Sequence, residues 1–270
     1  MTTSTRRAVY THGHHESVLR SHSWRTAANS ARYLLPRLRR GMSLLDVGCG
    51  PGTITADLAE LVSPGSVTGV ERSLGVLDIA RRQAAGHSGG VDFVVSDVHA
   101  LGFRDDAFDV VHAHQVLQHL ADPVHALREM GRVCAPGGTV AVRDSDYAAF
   151  RWQPELPELD EWLHLYRTLA RDNNGEPDAG RLLPRWVRDA GFTDVVATSS
   201  SWCFETPQDR QWWGRTWADR VVGSQLAEQA VSSGAASTAD LTRIARGWLT
   251  WAAAADGWMK VPHQEVLARP

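Results

Sequence analysis

Lysine is almost absent. Of 28 basic residues in the 270-residue chain only Lys260 is a lysine, and 31 acidic residues leave a net charge of −3. There is no dense basic tract to neutralise a phosphate backbone, so nucleic acid is not expected as a partner. Cysteine is scarce too. Cys49, Cys134 and Cys203 are odd in number and far apart, which fits a reducing, cytoplasmic setting and offers no CxxC-type metal site. No apolar run approaches the roughly 18 residues of a membrane span, and the basic N-terminus MTTSTRRAVYTHGHHES has no apolar segment behind it, so no membrane partner is expected. Tryptophan is nearly missing from the first half. Only Trp24 of the 11 precedes residue 150, which divides the chain into two compositional halves.

The rest of the composition, 43% hydrophobic and 22% charged, is that of an ordinary globular protein. From residue 43 to about 146 short apolar runs alternate with amphipathic segments, the pattern of a parallel sheet with crossover helices. Strands are expected at 43–48, 66–71, 91–96, 108–114 and 139–144, and a helix at Asp122-Pro123, where Asp can cap and Pro fits the first helical position. The VDFVV run, apolar on both faces, predicts a strand covered on both sides. The fold class is α/β, doubly wound. Residues 1–41 read as an N-terminal helical arm, with helical periodicity over 14–38. Residues 42–206 read as the core with a helical insertion at about 150–177, and 207–256 as a Trp-rich helical cap in two pieces. The segment 257–270 reads as a last core strand, weakened at Pro262.

The most informative stretch is LLDVGCGPGT at 44–53. Asp46 sits near the end of a buried strand, and Gly48, Gly50 and Gly52 follow at alternate positions, where glycine lets backbone approach a ligand at the carboxyl end of a strand. The third glycine falls one residue too early for a dinucleotide fingerprint, and no GK[ST] follows to make a P-loop. A carboxylate in this turn repels a pyrophosphate but suits a cationic, amine-bearing ligand. S-adenosylmethionine carries both an ammonium and a sulfonium.

Here the chain resembles the class I S-adenosylmethionine-dependent methyltransferases, especially the small-molecule branch of the ubiquinone/menaquinone C-methyltransferase type. The resemblance is close over 43–146 and holds only in outline elsewhere. It implies a mostly parallel seven-stranded sheet with an antiparallel last strand. It also implies that Asp46, Gly48, Cys49, Gly50 and Gly52 wrap the methionine part of the cofactor. Glu71, followed by Arg72, ends the second strand where the family binds the ribose hydroxyls. Asp97, with Val98 beside it, stands where the family meets the adenine amine. In the segment HAHQVLQHLADP, His114, Gln115 and His119 are implied to line the sulfonium and the acceptor. Tyr10 and Arg25 lie in an arm that related enzymes fold over the cofactor, and Arg25 suits the methionine carboxylate. Each position has a structural reading of its own: a tight turn for the glycines, a solvated strand end for Glu71, a cap for Asp97. Their joint occurrence at successive strand ends favours the cofactor.

Methyl transfer from a sulfonium needs alignment and exclusion of water more than heavy catalysis. A neutral histidine can still remove an acceptor proton. His119 is the first choice as general base; His14 and His15 follow, with His22 also in the arm. The cluster of His12, His14, His15 and His22 lacks an acidic or Cys ligand, so no metal is expected. Asp146, Tyr147, Trp152, Tyr166 and Trp202, together with His119, are candidate acceptor-binding residues, which suggests a large planar or apolar small molecule. The expected product is S-adenosylhomocysteine and the expected role is biosynthetic. A non-methylating reaction such as cyclisation, using the same cofactor motifs, is the alternative. Arm and cap both offer surfaces for a homo-oligomer.

Overall fold

The computed structural model describes residues 10–11, 16–86 and 90–270. The arm contains helix α1 (Glu16–Ser23), the single turn α2 (Ala27–Ser30) and a 3-10 turn at Leu35–Arg37. The continuous helical run expected over 14–38 is therefore broken. Thr26 adopts an extended backbone and forms a capping box with Asn29, which starts a new helix rather than continuing the old one. Pro36 then restricts the residue before it.

The core follows the alternation of the sequence: β1 (Leu44–Val47), α3 (Thr53–Val62), β2 (Val67–Glu71), α4 (Leu74–Ala84), β3 (Val91–Val95), β4 (Phe108–His114), α5 (Pro123–Val133) and β5 (Cys134–Ser145). Asp122 caps α5 through the N–H of His125, with Pro123 in the first turn. The five strands run parallel in the order β3-β2-β1-β4-β5. The order reverses between β1 and β4, and the carboxyl ends of those strands open a crevice at that switch point. One expectation fails at the edge. β3 carries the VDFVV run, yet Val94 and Val95 are 41% and 51% exposed. Apolar character on both faces does not tell an edge strand from a covered one.

The second half adds β6 (Arg151–Gln153), α6 (Pro157–Asp172), α7 (Leu183–Asp189), β7 (Asp194–Phe204), α8 (Pro207–Gly223), α9 (Gln225–Ser232), α10 (Thr238–Ala253) and β8 (Trp258–Arg269). The cap region is thus three helices, not two, because the extended backbone of Ser224 ends α8 and starts α9, before Ser237 opens α10 with a capping box to Asp240. β8 lies between β5 and β7 and is antiparallel to both, and β6 pairs with its first residues. The sheet is the mostly parallel seven-stranded one implied by the resemblance, enlarged by the three-residue β6. The last segment in sequence is accordingly internal in the sheet.

β8 also runs unbroken through Pro262. The Pro262 carbonyl accepts the Asp146 N–H at 3.0 Å, beyond the last β5–β8 pair at Ser145 and His263. In an antiparallel strand the N–H and C=O of one residue face the same neighbour, so the donor that proline lacks falls where β5 has ended.

Two apolar clusters flank the sheet, and a third belongs to the cap. In the cap Trp162, Trp217, Trp248 and Trp251 are fully buried, and the Trp162 ring meets those of Trp217 and Trp248 edge-on at 4.6 and 4.7 Å. These are favoured aromatic geometries. Among the described residues no helix is long and apolar enough to cross a membrane.

Candidate active site

The chain must turn sharply between β1 and α3. Gly48 makes this possible with φ +66°, and a Cβ there would run into the Val116 side chain of the loop after β4. Gly50 is open, with His22 Nδ1 3.9 Å from its would-be Cβ. Gly52, expected to touch the cofactor, instead lets the start of α3 pack on Ala80 and Phe93.

Asp46 is buried beneath this turn. Its Oδ1 accepts from His112 Nδ1 at 2.7 Å and its Oδ2 from the Thr55 hydroxyl at 2.5 Å. Both oxygens are engaged by neighbouring elements, so Asp46 braces β1, α3 and β4 rather than presenting a bare carboxylate. Cys49 is buried beside it, and burial pushes the thiol far above its usual range, which rules out a thiolate nucleophile.

Glu71 ends β2, and its Oε1 accepts from the N–H groups of Arg72 and Ser73 at 2.7 and 3.2 Å. Oε2 has no hydrogen-bond partner among the described residues. Asp97 follows β3, and its Oδ1 accepts from the backbone N–H and Nδ1 of His99, each at 3.0 Å. Partial burial pushes its pKa up, but the bonds from His99 outweigh this and hold it below the usual carboxylate range.

The loop after β4 carries His114, Gln115 and His119. His114 is buried between Trp202 and His263, with ring centroids 5.7 and 6.1 Å away. Burial, with Arg143 and Arg25 nearby, drives its pKa well below the ordinary histidine value. His119 Nε2 accepts from Gln118 Nε2 at 3.0 Å, and the ring meets Tyr10 edge-on at 4.8 Å. Burial lowers it to about 3, so it is neutral at physiological pH. Arg25 comes from the arm. Its Nη2 donates to Gln115 Oε1 at 2.6 Å, and its guanidinium lies 5.5 Å from the Trp202 ring. Burial lowers it to about 10, so it stays charged, yet no carboxylate among the described residues forms an ion pair with it.

A cavity of about 570 Å³ joins these groups. Tyr10, Arg25, Asp46, Gly48, Cys49, Gly50, Glu71, Arg72, Asp97, His114, Gln115 and His119 all line it, and among the described residues the lining lies between 10 and 120. Leu19, His22, Val116 and Leu120 also stand in the wall. Of these only His22 stood out in the sequence, since apolar wall residues look like any others.

The remaining candidates are elsewhere. Val98 is packed in the core cluster under the sheet. Tyr147 and Tyr166 stack at 4.2 Å inside the cap, and Trp152 packs on the same cluster. Asp146 is gripped by Arg181 through two bonds of 2.9 and 2.8 Å. Trp202 backs Arg25 from behind and donates Nε1–H to the Asn29 carbonyl at 2.8 Å. Large aromatic side chains bury most area against each other, which is why those chosen for an acceptor wall form the cap interior instead. His14 and His15 lie outside the described residues. No cluster of three metal-ligating side chains occurs among the described residues.

Residues 45–142 match the model of the methyltransferase domain family. A methyltransferase of Schizosaccharomyces pombe is 34% identical over 262 residues, covering 93% of this chain and 92% of its own. The chain belongs to the class I S-adenosylmethionine-dependent methyltransferases. A demethylmenaquinone methyltransferase of Staphylococcus aureus is 36% identical over 130 residues, 48% of this chain and 51% of that one. Among solved structures, the [4+2]-cyclase SpnF has the same fold with TM-score 0.51, 23% identity, and coverage of 94% of this enzyme and 80% of the cyclase. Phosphoethanolamine N-methyltransferase 2 of Haemonchus contortus, solved with S-adenosyl-L-methionine, has TM-score 0.56 at 19% identity, covering 88% of this enzyme and 52% of that chain.

Proposed function

We propose that the cavity holds S-adenosylmethionine with its ribose at Glu71, its adenine amine at Asp97 and its methionine carboxylate at Arg25, and that the enzyme methylates a small aromatic or apolar metabolite. The observation that carries this reading is the distribution of charge. A partly buried cation that pairs with no carboxylate among the described residues shares the cavity with two carboxylates at successive strand ends, each with one oxygen that has no hydrogen-bond partner among the described residues. Gly48 and Gly50 of the turn line the same cavity without side chains of their own.

When bound, the cofactor supplies a methyl group on a sulfonium, already activated for in-line displacement. The protein's work is then positional. Arg25 and Glu71 hold the two ends, and Tyr10, Leu19 and His22 of the arm close the cavity against water. His119 is our first choice to receive an acceptor proton. It is neutral but only weakly basic, which suits a hydroxyl or carbon acid that is itself acidic. His14 or His15 is the second choice. Leu19, Val116 and Leu120 support an apolar acceptor, a role the sequence had assigned to Tyr147, Trp152, Tyr166 and Trp202.

Incubation with S-adenosylmethionine and a panel of phenolic and apolar metabolites, followed by mass spectrometry, tests this. A methylated acceptor with matching S-adenosylhomocysteine is expected. Acceptor turnover without S-adenosylhomocysteine would instead favour the non-methylating reading, such as cyclisation.

A further inference from the structure

We infer that His263, on the C-terminal strand and outside the cavity wall, is a positioning residue that aims Arg25 at the cofactor carboxylate through the side chain of Gln115. The inference rests on the reading that Arg25 receives that carboxylate.

Arg25 offers only donors, so the atom of Gln115 that meets its Nη2 at 2.6 Å must be the amide oxygen. The amide nitrogen then points the other way, and it lies 2.8 Å from His263 Nε2. A bond there requires His263 to accept, which places the ring proton on Nδ1. The donor-only guanidinium thus fixes the direction of every bond in the chain from Arg25 to Gln115 to His263, and with it the tautomer of the ring.

Both ends of this relay are held firmly. His263 pairs with Ser145 of β5 and Ser200 of β7 in the middle of the sheet, and its ring packs on Trp202 at 4.4 Å. The same Trp202 ring underlies Arg25. Burial first, then the charges of Arg143 and Arg25, keep the imidazole neutral, with a pKa well below its ordinary value, as an acceptor must be. Gln115 has a left-handed backbone with φ +53°, a conformation that costs a side-chain-bearing residue energy and persists where surroundings enforce it. Its own N–H donates to the Arg143 carbonyl at 2.7 Å.

Without the acceptor nitrogen the Gln115 amide loses the anchor on its NH₂ side and is held by Arg25 alone. The amide oxygen still faces the guanidinium, but neither group is fixed in place against the sheet. The effect should be confined to ligands that carry a carboxylate.

Titration calorimetry on the full chain can read this out with two ligands, S-adenosylhomocysteine and 5′-methylthioadenosine, which lacks the amino-acid part. His263→Leu is expected to weaken S-adenosylhomocysteine about ten-fold while leaving 5′-methylthioadenosine within about two-fold. His263→Asn, which retains an acceptor oxygen, is expected to recover part of the loss. In an Arg25→Gln background the further loss from His263→Leu should shrink below about two-fold, as coupled sites behave. Gln115→Met should reproduce the pattern and keeps the test standing if His263→Leu does not fold. Equal losses for both ligands, no loss for either, or full additivity with Arg25→Gln would overturn the relay. Unchanged S-adenosylhomocysteine affinity in Arg25→Gln alone would overturn the reading of Arg25 beneath it.

Discussion

Arg220 of α8 donates to the hydroxyl of Ser21 on α1 at 2.7 Å. The same Nη2 donates to the Ser17 carbonyl at 2.9 Å, and the guanidinium lies 4.5 Å from the Trp217 ring. Nearby, Arg20 of α1 pairs with Asp219 at 3.1 Å. The cap therefore serves the cavity at one remove. It contributes no wall residue but grips the helix that carries Leu19 and His22 into the wall.

Replacing Arg220 by Met keeps some packing and removes both bonds. Hydrogen bonds to charged groups contribute about 1.5–3 kcal/mol each, and a buried partner left unpaired adds to the loss. Denaturant titration should show a loss of about 2 kcal/mol or more, and limited proteolysis should cut near α1 faster than in the wild type. Unchanged cleavage there would mean that α1 is held by other contacts.

Gly48→Ala combines backbone strain at φ +66° with a Cβ driven into Val116. A loss of stability and at least ten-fold weaker S-adenosylhomocysteine binding are expected. Pairing it with Val116→Ala makes room for the new methyl and should restore part of the stability, leaving a strain of about 1–2 kcal/mol. A double variant no more stable than Gly48→Ala would show that the overlap with Val116 is not what matters.

The architecture was largely legible because strand runs, helix caps and the glycine turn are local signals. Asp122-Pro123 marked a helix start correctly because a cap acts within three residues. What escaped was nonlocal. Whether VDFVV is central or peripheral depends on strand order, and the passage of β8 through Pro262 depends on where β5 stops. In the site, Glu71, Asp97 and the glycines could be placed because strand ends are places in the sequence. The partners of Asp46, and the relay through His263, join residues 66 and 148 positions apart. The helically spaced tryptophans of the cap pack on one another, as that spacing implies. Trp152 and Trp202 have no such spacing, and their aromatic character does not say whether they pack against a ligand or against other rings.

Asp144 is fully buried, and burial pushes its carboxyl up to about 8, against the pull of bonds from the Gln118 and Leu117 backbone. The unfolded chain ionises it near 3.9. The folded protein therefore keeps a proton that the unfolded chain releases, and the stability this gives is complete below about pH 4 and is lost as pH rises through about 8. Asp144→Asn cannot ionise. The stability of wild type relative to this variant should fall between pH 5 and pH 9, by roughly 4 kcal/mol, as measured by urea titration. The depressed histidines His114, His119 and His263 work in the opposite sense, stabilising above about 6.5 and less as pH falls, but they are common to both proteins and cancel. A difference that does not change with pH would mean that Asp144 is ionised in the folded state.

Calorimetric titration of S-adenosylhomocysteine into wild type and Glu71→Ala tests whether this cavity is the cofactor site. Glu71 is partly exposed and, among the described residues, braces only two N–H groups of its own turn, so its removal should leave the fold intact. One molecule should bind per wild-type chain, and the variant should bind at least ten-fold more weakly, the equivalent of about 1.4 kcal/mol. Equal affinities in the two proteins would contradict the placement of the ribose at Glu71 and, with it, the orientation of the cofactor between Glu71 and Arg25.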